Sequence, residues 1–298
     1  MSDVHAHAID PTAPFEARLD RFPARSVDVG GGADVSYREA GGAVDASVPI
    51  VLLHGIGSGA ASWLQQLEVL GLSHRVLAWD APGYGASTPV AAPAPVAADY
   101  AARLRGWLDA LGVARCVLVG HSLGAIVAGA LASASSERMA ALLLISPAGG
   151  YGAAPQALRV QKRDARLAML AQLGPFGLAQ QRSGNMLSPN ASDDARRWVR
   201  WNMERVLMHG YTQATHLLAN ADLATDLATY EGLTQIAVGE QDAITPPAAC
   251  EAIAKAARTP LRIVPGAGHA GYVEAPDAYN TLIDTFYRSA LEQRSFSQ

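Results

Sequence analysis

Cysteine occurs only twice in this chain of 298 residues, at Cys116 and Cys250, too rarely for a disulfide framework. Cys116 falls in an apolar strand and Cys250 in a helix, so both are expected as small buried apolar side chains. The pair suits a reducing cytoplasm. Basic residues are also in short supply: 23 Lys and Arg stand against 27 Asp and Glu, for a net charge of -4 and a pI near 6.0. That balance lacks the basic footprint of a nucleic-acid or anionic-membrane partner. No apolar run is long enough to cross a membrane, and Met1 to Arg25 lacks the apolar core of a signal peptide. This stretch, broken by Pro11, Pro14 and Pro23, is expected as a loosely held arm. His5 and His7 within it have no further ligands nearby in sequence and read as solvated rather than metal-binding.

What the chain does have is a core and an alternation. Half of its residues are hydrophobic and 17% are charged, as in a soluble globular protein. Ser26 to Gly30 and Ala33 to Glu39 read as two strands joined by Gly31-Gly32, a hairpin turn that needs positive φ. Continuous apolar runs then mark strands at Pro49 to Leu53, Arg75 to Trp79, the stretch ending at His121, Met139 to Ile145, Gln235 to Gly239 and Leu261 to Val264. Amphipathic stretches between them mark helices through Trp63, Leu64, Leu67 and Leu70, from Val96 to Leu111, from Pro247 to Ala257 and from Asp277 to Leu291. Strand-helix alternation with crossovers this long implies an α/β fold, a mostly parallel sheet covered on both faces, with ligands outside the carboxyl ends of the strands.

From Gly149 the alternation stops, and a helical block runs to Asp226 with breaks at Gly174-Pro175 and Ser188-Pro189-Asn190; Ser192 reads as an N-cap. The expected division is an arm over 1–25, a core over 26–148, a helical cap over 149–226 and a second core segment over 227–298.

One junction concentrates the chemistry. Cys116 to Gly120 is an apolar strand, Gly124 to Ala132 a small-residue helix, and between them lies Gly120-His121-Ser122-Leu123-Gly124. G-x-S-x-G in this setting projects a serine from a tight strand-to-helix turn that only small flanking residues permit. A serine hydroxyl is a weak nucleophile and needs a base, which in turn needs an orienting acid. His269, on the glycine-rich loop Pro265 to Gly268 after the last strand, is placed to reach across the sheet edge. Asp242, after the strand ending at Gly239, lies between serine and histidine in chain order, with Glu240 as its rival. His121 would point away from Ser122, His54 would shape its own turn, and His74, His209 and His216 have no companion acid in sequence.

Five blocks together carry a family resemblance: His54-Gly55-Ile56-Gly57 ahead of Trp63, Asp80 to Ser87, Gly120 to Gly124, Gly239 to Asp242, and Gly268-His269 with Glu274-Ala275-Pro276. From Ser26 to Leu291 the chain resembles the serine branch of the α/β-hydrolase superfamily, with the cap as the divergent part. The resemblance implies Ser122 as nucleophile, Asp242 as orienting acid and His269 as base. It also implies an oxyanion hole from the backbone N–H groups of Leu123 and Ile56, and a mechanism that needs no cofactor and no metal. The expected reaction is cleavage of a small carboxylic ester or lactone, similar to the enol-lactonases. Carbon-carbon hydrolysis of the meta-cleavage type is the alternative, although those enzymes usually carry Gly-Asn-Ser-Met-Gly at the turn. Haloperoxidase-like activity and a non-catalytic ligand receptor are the remaining readings on this scaffold. A competing motif, Gly55-Ile56-Gly57-Ser58-Gly59-Ala60 with Asp80 after the next strand, has the outline of a dinucleotide site.

Substrate class must come from the cap. Residues 150–225 carry nine Lys and Arg against five Asp and Glu, a net +4, while the remainder is -8. A basic lid of this kind fits a small, anionic substrate; the alternative is that Arg159, Arg163 and Arg166 line a solvated helix face. Trp198, Trp201, Met203, Met208 and Tyr211 are candidates for an acyl pocket or for cap packing.

Overall fold

A computed structural model of the chain describes residues 13–42 and 48–295. His5, His7 and the rest of the expected arm before residue 13 lie outside the described residues. Among those described, the strands are β1 (Arg25–Asp28), β2 (Asp34–Ala40), β3 (Ile50–Leu53), β4 (Val76–Trp79), β5 (Cys116–His121), β6 (Met139–Ile145), β7 (Thr234–Gly239) and β8 (Leu261–Val264). They form one sheet in the order β1-β2-β4-β3-β5-β6-β7-β8. β1 and β2 pair antiparallel across a turn in which Gly30, Gly31 and Gly32 all have positive φ, and β2 joins β4 antiparallel. From β4 to β8 every pairing is parallel.

Before the sheet's midpoint come α1 (Phe15–Leu19), α2 (Leu64–Leu70), α3 (Ala97–Ala110) and α4 (Leu123–Ala134). Between β6 and β7 lie α5 (Gln156–Arg182), α6 (Asp193–Glu204), α7 (Met208–Asn220) and α8 (Leu223–Thr229). The chain then adds α9 (Pro247–Ala256), α10 (Gly271–Glu274) and α11 (Pro276–Ser295). Because the strands are apolar on both sides, their two-residue alternation feeds two cores. Val51, Leu53, Leu118, Leu142 and Leu144 pack with Tyr100, Leu104, Trp107 and Ile126 of α3 and α4. Ile50, Leu52, Val117, Val119 and Leu143 pack with Leu64, Leu67, Leu282, Ile283 and Phe286 of α2 and α11. Each such fully buried side chain stabilises the fold by roughly 1.5–3 kcal/mol. Cys116 and Cys250 are buried free thiols, each pushed up to about 12 by burial, so they act as apolar filling.

The stretch between β6 and α8, expected as a cap, is helical. Ser192 caps α6, accepting from the Ala195 N–H at 3.1 Å. Within α5, Gly174 (φ 61°, ψ 176°) breaks the helix, and Pro175 opens its second segment. α8 begins inside the stretch read as cap and packs on α4 and α9, alongside the core. The expected loose arm is tied down over Phe15–Leu19. Phe15 stacks on Trp198 of α6 at 5.0 Å, and Arg18 Nε donates to the buried Glu68 carboxylate of α2 at 2.9 Å. Both partners are far away in sequence, so local pattern carried no trace of the contact.

Candidate active site

Ser122 sits between β5 and α4 with φ 53° and ψ -112°, outside the regions that L-residues normally occupy. Its N–H donates to the Ile145 carbonyl of β6 at 3.1 Å, which pins the turn to the neighbouring strand. The two flanking glycines have no room for a side chain. A Cβ on Gly120 would lie 2.6 Å from the Gly124 carbonyl oxygen, and one on Gly124 would lie 2.4 Å from that of Leu53. Small residues at both positions let α4 close against β3 and β5.

His269 and Asp242 leave the sheet after β8 and β7 respectively. His269 Nδ1 donates to Asp242 Oδ2 at 2.9 Å in a buried pair, leaving Nε2 as the basic nitrogen. The remaining oxygen, Oδ1, accepts the N–H groups of Ile244 and Thr245, each at 2.8 Å. Thr245 Oγ1 adds a further contact, 2.9 Å from Oδ2 and 3.1 Å from His269 Nδ1. Burial alone would raise the Asp242 pKa, yet the hydrogen bonds from His269 and Thr245 outweigh it and hold the carboxyl at about 2. The rival Glu240 turns away and accepts the Gly266 N–H at 2.9 Å on the exposed side. Thr245 was missed in sequence because an Asp-to-Thr spacing of three is common in turns.

Two side chains not singled out for the site control the backbone beside Ser122. His54 Nδ1 donates to the Gly55 carbonyl at 2.8 Å, and its Nε2 accepts the Ala81 N–H at 3.0 Å. The Gly55 carbonyl belongs to the same peptide plane as the Ile56 N–H, and in a trans peptide the two point in opposite directions. Holding one therefore aims the other. Tyr84 donates its hydroxyl to the Ile56 carbonyl at 2.8 Å, fixing the next peptide as well. Burial lowers the His54 pKa and keeps the ring neutral, as these bonds require. Leu123 opens α4, so its N–H is one of the first four that have no partner within the helix.

His121 packs against His269 and Tyr272 with ring centroids 4.8 Å from each. Burial, aided by the neighbouring His269, lowers its pKa to about 3. Its Nδ1 has no hydrogen-bonding partner among the described residues; the ring borders a cavity of about 20 Å³ together with Ser58, Ser62 and Asn202, room for about one water.

Ser122, His269, Ile56 and Leu123 all line one cavity of about 520 Å³ that residues of α5, α6 and α7 also line. Its apolar wall includes Met169, Leu178, Met186, Met203 and Leu218, and its basic wall consists of Lys162, Arg166 and Arg182. Of the five candidates for an acyl pocket or for packing, Met203 and Tyr211 line the cavity. Trp198 is buried between Phe15 and Trp201, Trp201 lies under the Arg205 guanidinium at 3.6 Å, and Met208 is half exposed. The supposed solvated stripe also divides. Arg159 donates to Ala219 and Asn220 and Arg163 pairs with Asp164, while Arg166 turns inward and donates to Tyr211 Oη at 3.0 Å.

The dinucleotide outline fails at its acid. Asp80 is buried, with one oxygen accepting the Ala60 N–H at 2.8 Å and the other the Ser36 hydroxyl, so the group that would hold a ribose is used within the loop. His74 does have an acid partner: its Nε2 is 2.6 Å from Asp284 of α11, and its ring packs on Tyr287 of the same helix, centroids 4.3 Å apart.

The profile of the Alpha/beta hydrolase family matches residues 50–282. A provisionally named carbamate hydrolase of Variovorax paradoxus (strain S110) is 32% identical over 80% of this chain and 91% of its own length. A 2-hydroxy-6-oxononadienedioate/2-hydroxy-6-oxononatrienedioate hydrolase of Pseudomonas putida is 26% identical over 93% of this chain and 98% of its own. Among solved structures, the enol-lactonase from Burkholderia xenovorans LB400 superposes with a TM-score of 0.76 at 22% identity, over 89% of this chain and all of the other.

Proposed function

The chain belongs to the alpha/beta hydrolase family, and from that premise we propose that it is a serine hydrolase cleaving a small carboxylic ester or lactone through an acyl-enzyme. The observation that carries the reading is that His269, hydrogen-bonded to Asp242, lines the same cavity as Ser122. In this reading Ser122 Oγ attacks the substrate carbonyl while His269 Nε2 takes its proton. Asp242 holds Nδ1–H, so the ring is in the tautomer with Nε2 free, and it stabilises the imidazolium that forms. The oxyanion is received by the N–H groups of Leu123 and Ile56, the latter aimed by His54. Losing one such donor raises the barrier by about 3–4 kcal/mol. His269 then returns the proton to the leaving group, and a water deprotonated by the same nitrogen releases the acid.

Carbon-carbon hydrolysis is the second reading, favoured by the full-length similarity to the Pseudomonas putida enzyme. Carbamate cleavage, named for the Variovorax relative, also begins with attack on a carbonyl. The buried free thiols of Cys116 and Cys250 fit a reducing cytoplasm. The test is hydrolysis of p-nitrophenyl esters of graded acyl length by wild type, Ser122→Ala and Asp242→Asn. Turnover lost in the first variant and reduced about a thousandfold or more in the second supports the reading. Folded wild type that cleaves no ester or lactone overturns it in favour of carbon-carbon hydrolysis or a receptor.

A further inference from the structure

The long cap helix α5 presents two stripes to the cavity. Its first segment contributes Lys162, Ala165, Arg166 and Met169, spaced i, i+3, i+4 and i+7 along one face, and its second contributes Leu178 and Arg182, spaced i, i+4. The break at Gly174 turns the second stripe toward the same space as the first. Cations from two helical segments thus converge on one cavity, and among the described residues no Asp or Glu lines it.

Several cations elsewhere find partners within the chain: Arg103, Arg115 and Arg258 donate to backbone carbonyls. Arg18, Arg25, Arg75, Arg138, Arg163, Arg197 and Arg288 each pair with a carboxylate. Among the described residues, none of Lys162, Arg166 and Arg182 appears in an ion pair; the partner of Arg166 is the Tyr211 hydroxyl. Three like charges sharing a partly apolar space repel one another, and the repulsion is relieved when a ligand supplies the anion.

We infer that this wall is a carboxylate subsite, and that the natural substrate carries a carboxylate remote from the scissile carbonyl, bound chiefly by Arg166 and Arg182 with Lys162 at the mouth. A planar, singly charged carboxylate matches a guanidinium fork, and the donors of Arg166 not given to Tyr211 remain for it. The apolar wall of Met169, Leu178, Met203 and Leu218 takes the carbon chain between the two ends. The inference rests on Ser122 as the reacting group of the same cavity.

The experiment compares matched esters. p-Nitrophenyl hydrogen adipate against p-nitrophenyl hexanoate places the charge on the acyl side; p-carboxyphenyl hexanoate against phenyl hexanoate places it on the leaving group. The expected result is a kcat/KM for one anionic ester about ten- to a hundredfold above its neutral twin, expressed mainly in KM and reduced by added NaCl. In Arg166→Met/Arg182→Met the ratio of anionic to neutral ester collapses toward one, and Arg166→Lys/Arg182→Lys recovers part of it. Equal rates for both twins, or a preference that survives in the double Met variant, overturns the subsite. If folded wild type cleaves none of the four, the hydrolase reading has failed, and calorimetric titration with adipate and p-hydroxybenzoate still decides the subsite. Binding of either, lost in the double Met variant, supports it; no binding of either by wild type overturns it.

Discussion

His121 Nε2 donates to the backbone carbonyl of His269 at 3.0 Å, so the residue preceding Ser122 holds the loop that carries the candidate base. A carbonyl only accepts, and the ring is therefore the tautomer with its proton on Nε2. The bond sets the separation of the serine turn from the histidine loop, two segments that meet only in the folded chain.

Replacing His121 with Phe keeps the ring packing and removes the donor. The His269 carbonyl is then buried without its partner, and about 1–3 kcal/mol of stabilisation is lost. We expect kcat to fall by ten- to a hundredfold, by about that energy range, with KM little changed, and His121→Gln to restore part of the loss. Because His121 stays neutral down to about pH 3, the acid limb of the kcat/KM profile should not move in the Gln variant. A shifted limb would mean that His121 itself titrates in catalysis.

His54 acts on the other side of the serine. His54→Phe frees the Gly55–Ile56 peptide and leaves the Ala81 N–H without its acceptor. Since an oxyanion exists only in the transition state, the loss should fall on kcat. Affinity for a trifluoromethyl ketone mimic should weaken at least tenfold, more than affinity for the product acid. Equal weakening of both would point to general distortion of the pocket.

The turn itself should respond in opposite senses at positions two residues apart. Gly120→Ala and Gly124→Ala each drive a Cβ into backbone oxygen at 2.6 and 2.4 Å, and urea midpoints should drop by the equivalent of about 3 kcal/mol or more, or folding should fail. Ser122→Gly removes a side chain from a strained φ of 53° and should raise stability by about 1 kcal/mol while abolishing turnover. A Ser122→Gly protein less stable than wild type would show that the turn is not strained.

Stability should depend on pH in two opposed ways. His54 and His121 have folded pKa values below the ordinary 6.5, His121 at about 3. The unfolded chain therefore binds more protons below pH 6.5, and stability present above that pH is lost as it falls, for His121 down to about 3, by at most about 1.4 kcal/mol per pH unit for each ring. Asp226 runs the other way, raised from 3.8 to about 6 by burial and then by Asp222. Its folded form holds a proton that the unfolded chain has released, so its contribution is present at low pH and lost as pH rises through about 6. Asp226→Asn should raise Tm at pH 8 and leave it unchanged at pH 4, by an amount near 1 kcal/mol once solvent screening of this half-exposed group is allowed for. A gain of equal size at both values would rule out titration as the cause.

Much of the architecture was legible because apolar strands and amphipathic helices differ in period, and because glycines mark turns that other residues cannot make. Ser122 was legible for the same reason: Gly120 and Gly124 are required by backbone approach, a local demand that leaves a local mark. The tether of Phe15 to Trp198 was invisible, since stacking between residues so far apart leaves no periodicity.

The chain by itself determined the order of strands and helices, the position of the serine turn, and the fact that a histidine and an aspartate leave neighbouring strands at the carboxyl edge, because each follows from hydrogen bonding and burial within a short window. Only the tertiary structure decided which of nine cap cations face the cavity, that Thr245 braces Asp242, and that His54 and His121 govern the backbone on either side of Ser122. Those outcomes depend on the break at Gly174 and on contacts between segments distant in sequence, where direction in space and not spacing along the chain selects the partner.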